Sequence, residues 1–215
     1  MAEKIIITID RKFGSGGHEV GKHLAETMGL KFYDDEFIAK TALETGLHED
    51  FIRKNEENVP SYAVSSLWGT IDAFQANPFD DIQQNEYNLI RKLGEEGNCV
   101  IIGRSADYIL RDTKHVSIFI FAPIEARLDR LQARTKTYHL EGEPNIDDRE
   151  QLAKLIKKVD KNRRRHYEFY TDCKWGSTDS YDLLINTART GLKGAASLIE
   201  TYVNECDGYN ILTDF

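Results

Sequence analysis

The sequence predicts an α/β protein in three layers, α/β/α, around a five-stranded parallel sheet. Two observations carry this. Five short runs rich in apolar residues are separated by stretches with helical periodicity, the pattern of strands buried on both faces. The first run passes straight into a glycine cluster and then a helix, a unit that brings backbone N–H groups and a helix N-terminus to one point.

The elements follow in order. Ile5 to Ile9 holds four isoleucines and one Thr and reads as a buried strand. Val20, Leu24 and Met28 share a helix face, and Gly29 stops that helix. Leu30 to Asp34 is a short second strand. Asp35 reads as the N-cap of a helix carrying Phe37, Ile38, Ala42 and Leu43. Residues 48–58 form a short charged helix, Pro60 breaks the chain, and 61–76 repeat weakly as a helix. Asn77-Pro78 is a turn, and 80–96 a helix closed by Gly97. Cys99 to Ile102 is the third strand and runs into Gly103-Arg104. Val116 to Phe121 is the fourth, followed by a helix from Pro123 to Arg134. Residues 136–146 are polar loop. A charged helix runs from Asp147 to Tyr170, the last strand from Tyr181 to Asn186, and the last helix from Gly191 to Asn204. Residues 1–204 read as a single domain and 205–215 as a tail without pattern.

Composition narrows the function. The chain has 215 residues, 30% charged and 40% hydrophobic, with net charge −8. That is an ordinary globular composition. Its acidity argues against nucleic acid as a partner. Cys99, Cys173 and Cys206 show no pairing or metal spacing, so free thiols in a cytoplasmic setting are expected. No apolar stretch approaches membrane length. A homodimer is left open.

In a parallel α/β sheet, ligands bind beyond the carboxyl ends of the strands. That rule selects residues 10–18, 34–36, 103–107 and 122–127. The first holds Lys12, Gly14, Ser15, Gly16, Gly17 and His18, read as a cradle for a donor phosphate. It has the shape of a P-loop, yet Gly17 stands where the lysine of G-x-x-x-x-G-K-[ST] belongs. Lys12, Arg11 and His18 are sources for the missing charge, and spacing does not choose among them. The Ser/Thr that would hold Mg²⁺ is also absent, which leaves Ser15 as its substitute.

Arg104 at a strand end calls for a phosphate or carboxylate partner. Asp34, Asp35 and Glu36 form an acidic corner, with Lys40 set to meet an acceptor phosphate. Arg127, Arg130 and Arg134 share a helix face, either solvated and paired with Glu125 or Asp129 or turned to a ligand, and Arg134, nearest the polar loop, is the first candidate for the latter. Asp160 to His166 carries Arg163, Arg164 and Arg165 in an otherwise acidic chain. Such arginines stabilise charge on a phosphoryl group in transfer, with Asp160 orienting one of them. Trp175-Gly176 and Tyr181-Asp182 read as a packing corner or a base-stacking platform, with packing favoured.

With these segments in hand, the chain resembles the cytidylate kinase-like family of P-loop nucleoside monophosphate kinases from about residue 4 to 203. The resemblance rests on Phe13 to His18, Phe32 to Glu36, Val100 to Tyr108, Asp160 to Tyr170, Lys174 to Gly176 and Tyr181 to Asn186. It implies a P-loop kinase fold and transfer of the γ-phosphoryl of ATP, with Mg²⁺, to CMP, dCMP or another small acceptor. Residues 35–97 would form the acceptor side and 136–170 a lid. Arg104, Arg134, Arg163 and Arg164 would serve catalysis, and Asp35, Lys40, Arg104, Ser105, Asp107 and Asp160 the acceptor. Three departures stand against it: Gly17 for the lysine, Ser105 for the acceptor-site Asp, and a short or reshaped segment between 47 and 97. The alternatives are a nucleotide-binding protein of weak activity and an anion loop for a non-nucleotide ligand.

Overall fold

A strand covered on both faces needs apolar side chains on both, and the first strand of this chain has them. The structure, a computed structural model, describes residues 4–34, 37, 38, 41, 78–137 and 148–208. Its strands are β1 (Ile6–Arg11), β2 (Lys31–Tyr33), β3 (Cys99–Ile102), β4 (Val116–Phe121) and β5 (Leu183–Asn186). They form one sheet in the order β2-β3-β1-β4-β5, and every neighbouring pair is parallel. The helices are α1 (Gly17–Met28), α2 (Pro78–Glu96), α3 (Ala106–Ile109), α4 (Ile124–Thr137), α5 (Arg149–Tyr170) and α6 (Thr187–Gly208).

Side chains alternate across the central strand. Ile7 and Ile9 join Val100, Ile102, Ile118 and Ile120 on one face, under Val20 and Leu24 of α1 and Ala195 and Ile199 of α6. Ile6 joins Cys99 and Ile101 on the other, under Ile90 and Leu93 of α2 and Leu110. At about 25 cal/mol per Å² of apolar surface removed from water, this double burial is the main stabilising term. Two smaller clusters carry the ligand side of the sheet. Phe119 packs with Tyr167, Trp175 and Tyr181, and Leu128 packs with Leu152 and Ile156 between α4 and α5.

The predicted fold class is therefore the observed one. The strand ends differ usefully. β1 extends two residues beyond Ile9, so Asp10 and Arg11 are strand residues with fixed side-chain directions. The helix α3 after Ser105 was not foreseen; four residues are too few for periodicity to announce. α6 starts earlier than expected, with a break at Gly191. The expected helices within 35–77, and most of the expected loop 136–146, lie outside the described residues. Among the described residues, no helix is long and apolar enough to cross a membrane.

Candidate functional site

The residues between β1 and α1 form a tight loop fixed from behind. Gly16 has φ 86, a left-handed backbone open to glycine at no steric cost. The first bond of α1 runs from Val20 N–H to Gly16 O. The amides of Gly17 and His18 therefore stand at the open helix end, where the macrodipole favours an anion.

Four side chains from distant elements hold this loop. Asp160 of α5 accepts from Phe13 N–H at 2.8 Å and from Arg127 of α4 at 2.6 Å. Arg127 also donates to Phe13 O at 3.1 Å, closing a three-way clamp. Arg130 donates to Ser15 O. Thr187, at the end of β5, donates to Ser15 O at 2.6 Å. Ser15 itself is fully buried, and its hydroxyl faces Lys12 O at 2.7 Å and Ile120 O at 3.1 Å.

That geometry corrects several expectations. Ser15 is not placed to hold Mg²⁺, because its hydroxyl is turned into the fold toward β4. Asp160 does orient an arginine, but the partner is Arg127, and its other oxygen holds the loop rather than an acceptor. Arg127 is not on a solvated face paired with Glu125 or Asp129: it is buried, and Arg149 takes those exposed acids at 2.6 and 2.8 Å. Asp34 accepts from Phe37 N–H at 2.9 Å, whereas Asp35, the expected cap, lies outside the described residues.

The remaining predicted residues divide into two groups. His18 meets Asp34 at 3.1 Å and stands edge-on to Phe32. Lys12 is half-buried, with its N–H donated to Ile120 O. Arg163 donates to Arg11 O at 3.2 Å and stands over the Phe13 ring. These, with Gly14 and Gly17, gather around the loop. Arg164 is exposed on α5 and is not tied to it. Asp35 and Lys40 lie outside the described residues, as does the side chain of Arg134.

At the end of β3, Gly103, Arg104 and Ser105 all have left-handed φ, 69, 58 and 52. Two successive non-glycine residues in this region store about 1–3 kcal/mol each, and such strain concentrates at functional turns. Arg104 is not an open rim charge: Glu86 of α2 meets it at 2.9 Å, and both side chains are buried. Ser105 is buried, and its hydroxyl has no partner among the described residues. Asp107 is buried and accepts from Tyr167 at 2.5 Å. Burial, then the charge of Asp10, pushes its carboxyl up to about 7. His166 is pushed down to about 4, first by burial and then by the Arg104 cation.

Sequence reasoning missed the polar centre of the packing corner. Trp175 Nε1–H donates to Asp10 at 2.6 Å and Tyr181 O–H at 3.1 Å. The Lys174-Trp175-Gly176 segment thus fixes the end of β1. Its signal in the sequence was an Asp directly after an isoleucine-rich run, where burial obliges a carboxylate to find donors.

Comparison with known proteins bears on this arrangement. The model of the cytidylate kinase-like family matches residues 6–189. The chain belongs to that family. This cytidylate kinase-like chain is 26% identical over 206 residues to a cytidylate kinase of Pyrococcus horikoshii, covering 95% of this chain and 91% of that one. An uncharacterised protein from Eubacterium ventriosum, solved as a crystal structure, is 28% identical, covers 94% and 99% of the two chains and has TM-score 0.67. The shikimate kinase of Bacteroides thetaiotaomicron, 13% identical with TM-score 0.55 over 94% and 99%, shares the fold. Family and fold are those of kinases, with nucleotide kinases among the relatives.

Proposed function

We propose that this cytidylate kinase-like protein transfers the γ-phosphoryl group of ATP to a nucleoside monophosphate of the CMP or dCMP type. The observation that carries it is the braced loop at residues 12–18: an anion cradle at a helix N-terminus, held by α4, α5 and β5, in a chain of this family. The donor's β- and γ-phosphates would lie on the amides of Gly17 and His18. The acceptor would enter on the side of Arg104, Ser105 and residues 35–97, where its phosphate would compete with Glu86 for Arg104. Residues 136–170, with Arg163, would act as the lid, excluding water before transfer.

No group of three or more metal-ligating side chains occurs among the described residues, and Ser15 is turned inward. Mg²⁺ would therefore arrive on the phosphates of the donor, where it neutralises their charge. The glycine at position 17 favours one other reading, a protein that binds nucleotide and turns it over weakly.

A coupled ADP-release assay over CMP, dCMP, UMP and AMP separates these. Acceptor-stimulated turnover, highest with a cytidine nucleotide, is expected. Tight ATP binding by calorimetry without stimulation by any acceptor would establish the weaker reading in its place.

A further inference from the structure

A P-loop without its lysine must find a cation elsewhere or hold its anion poorly. We propose that Arg11 is that cation, and that Arg11 and a lysine at position 17 exclude one another. The inference rests on the donor-site reading above and assigns a residue to it.

Period-2 alternation along β1 places Arg11 in the column of Ile7 and Ile9, the face covered by α1. It is only 7% exposed. A Cβ built at Gly17 would stand 2.6 Å from Arg11 Cβ and 3.0 Å from its Cγ. Gly17 lies inside α1 without a left-handed φ, so its backbone would accept any residue. Only the stem of Arg11 forbids one. The far end of the same side chain lies against Gly103, where a Cβ would collide with Nη1 and stand 3.3 Å from Cζ.

Arg11 therefore spans from the first turn of α1 to the turn after β3. Its guanidinium lies between the amide-lined loop and the strained turn that carries Arg104. That is where donor and acceptor phosphates would meet. A planar guanidinium offers a two-pronged contact to a phosphate that an ammonium does not. The other two sources of charge are less well placed. His18 is engaged with Asp34, its side chain 47% exposed, whereas Lys12 lies beyond the end of β1, where strand pairing no longer fixes a side-chain direction. Arg163, which donates to Arg11 O, supports the same residue from α5.

The test is calorimetric titration of the full chain with ATP–Mg²⁺, on wild type and four variants. A charge-assisted contact of about 1.5 kcal/mol or more corresponds to about tenfold in affinity. Arg11→Gln should lose about that or more, and Arg11→Lys should recover part of it. Gly17→Lys alone should bind worse than wild type, because its Cβ meets Arg11. Arg11→Gly with Gly17→Lys removes the Cβ that stands in the way and should bind better than Arg11→Gln, since the two positions exchange one charge. Wild-type affinity retained in Arg11→Gln overturns the inference and leaves the kinase reading standing. No ATP binding by wild type overturns both. If Arg11→Gln fails to fold, the double variant decides: folded without affinity, it refutes the exchange.

Discussion

Asp160→Ala is the perturbation that best tests how the loop is held. The side chains of Asp160 and Arg127 are 17% and 7% exposed and 2.6 Å apart, so water screens the pair poorly. Removing the carboxylate strands the Arg127 cation in the interior, which costs about 3–5 kcal/mol in buried pairs. It also removes the acceptor for Phe13 N–H, so the upper half of that range is expected. For a chain of this size, each kcal/mol lowers Tm by about 2–4 °C, giving a fall on the order of 10 °C in a thermal melt. Asp160→Asn keeps an acceptor for Phe13 and loses only the charge, and should fall between. Adding Arg127→Met to Asp160→Ala removes the stranded cation, so the double variant should be no less stable than Asp160→Ala. A loss under about 1 kcal/mol in Asp160→Ala, or losses that simply sum in the double, would refute the clamp.

Asp107, buried, and His166, half-buried, should shape the pH dependence in opposite directions. Asp107 is raised to about 7, so the folded state holds its proton longer than the unfolded chain. Its contribution is full below about pH 4 and fades as pH rises toward 7. His166, lowered to about 4, binds its proton less well when folded, so its contribution is lost as pH falls from about 6.5 to 4. Chemical denaturation across pH 4–8 should show Asp107→Asn removing a falling slope and His166→Gln a rising one. Glu86→Gln should destabilise the fold by about 3–5 kcal/mol by leaving Arg104 buried without its carboxylate; denaturant titration reads this, and a value under 1 would mean that Arg104 is satisfied elsewhere. Thr187→Val deletes a donor to Ser15 O and should cost about 1 kcal/mol, together with a measurable loss in ATP affinity.

The layers of the fold were legible because they depend on local pattern. β-Branched runs at Ile5, Cys99 and Val116 have few alternatives to buried strands, and a glycine loop between strand and helix marks its own place. The bracing was not legible, because its partners are far apart in the chain. Asp160 meets Phe13 across 147 positions, and Trp175 meets Asp10 across 165. Nothing in local spacing selects Arg127 over Arg134, since all three arginines of α4 share one face. The role of Ser15 failed for a related reason: a motif gives a residue's place, while the direction of its hydroxyl is set by Lys12 O and Ile120 O. At Gly17 the sequence showed which side chain was missing. Only the three-dimensional arrangement showed that Arg11 occupies the room it would need.

The clamp on residues 12–16 also bears on the entropy of binding. Ordering a free backbone costs about 1–2 kcal/mol per residue, so five residues fixed only by an arriving anion would reduce its affinity by about 5–10 kcal/mol. Here Asp160, Arg127, Arg130 and Thr187 hold the segment through its own backbone groups, and that loss of freedom falls on folding. A phosphate then meets a receptor already shaped for it, and its contacts count almost wholly toward affinity.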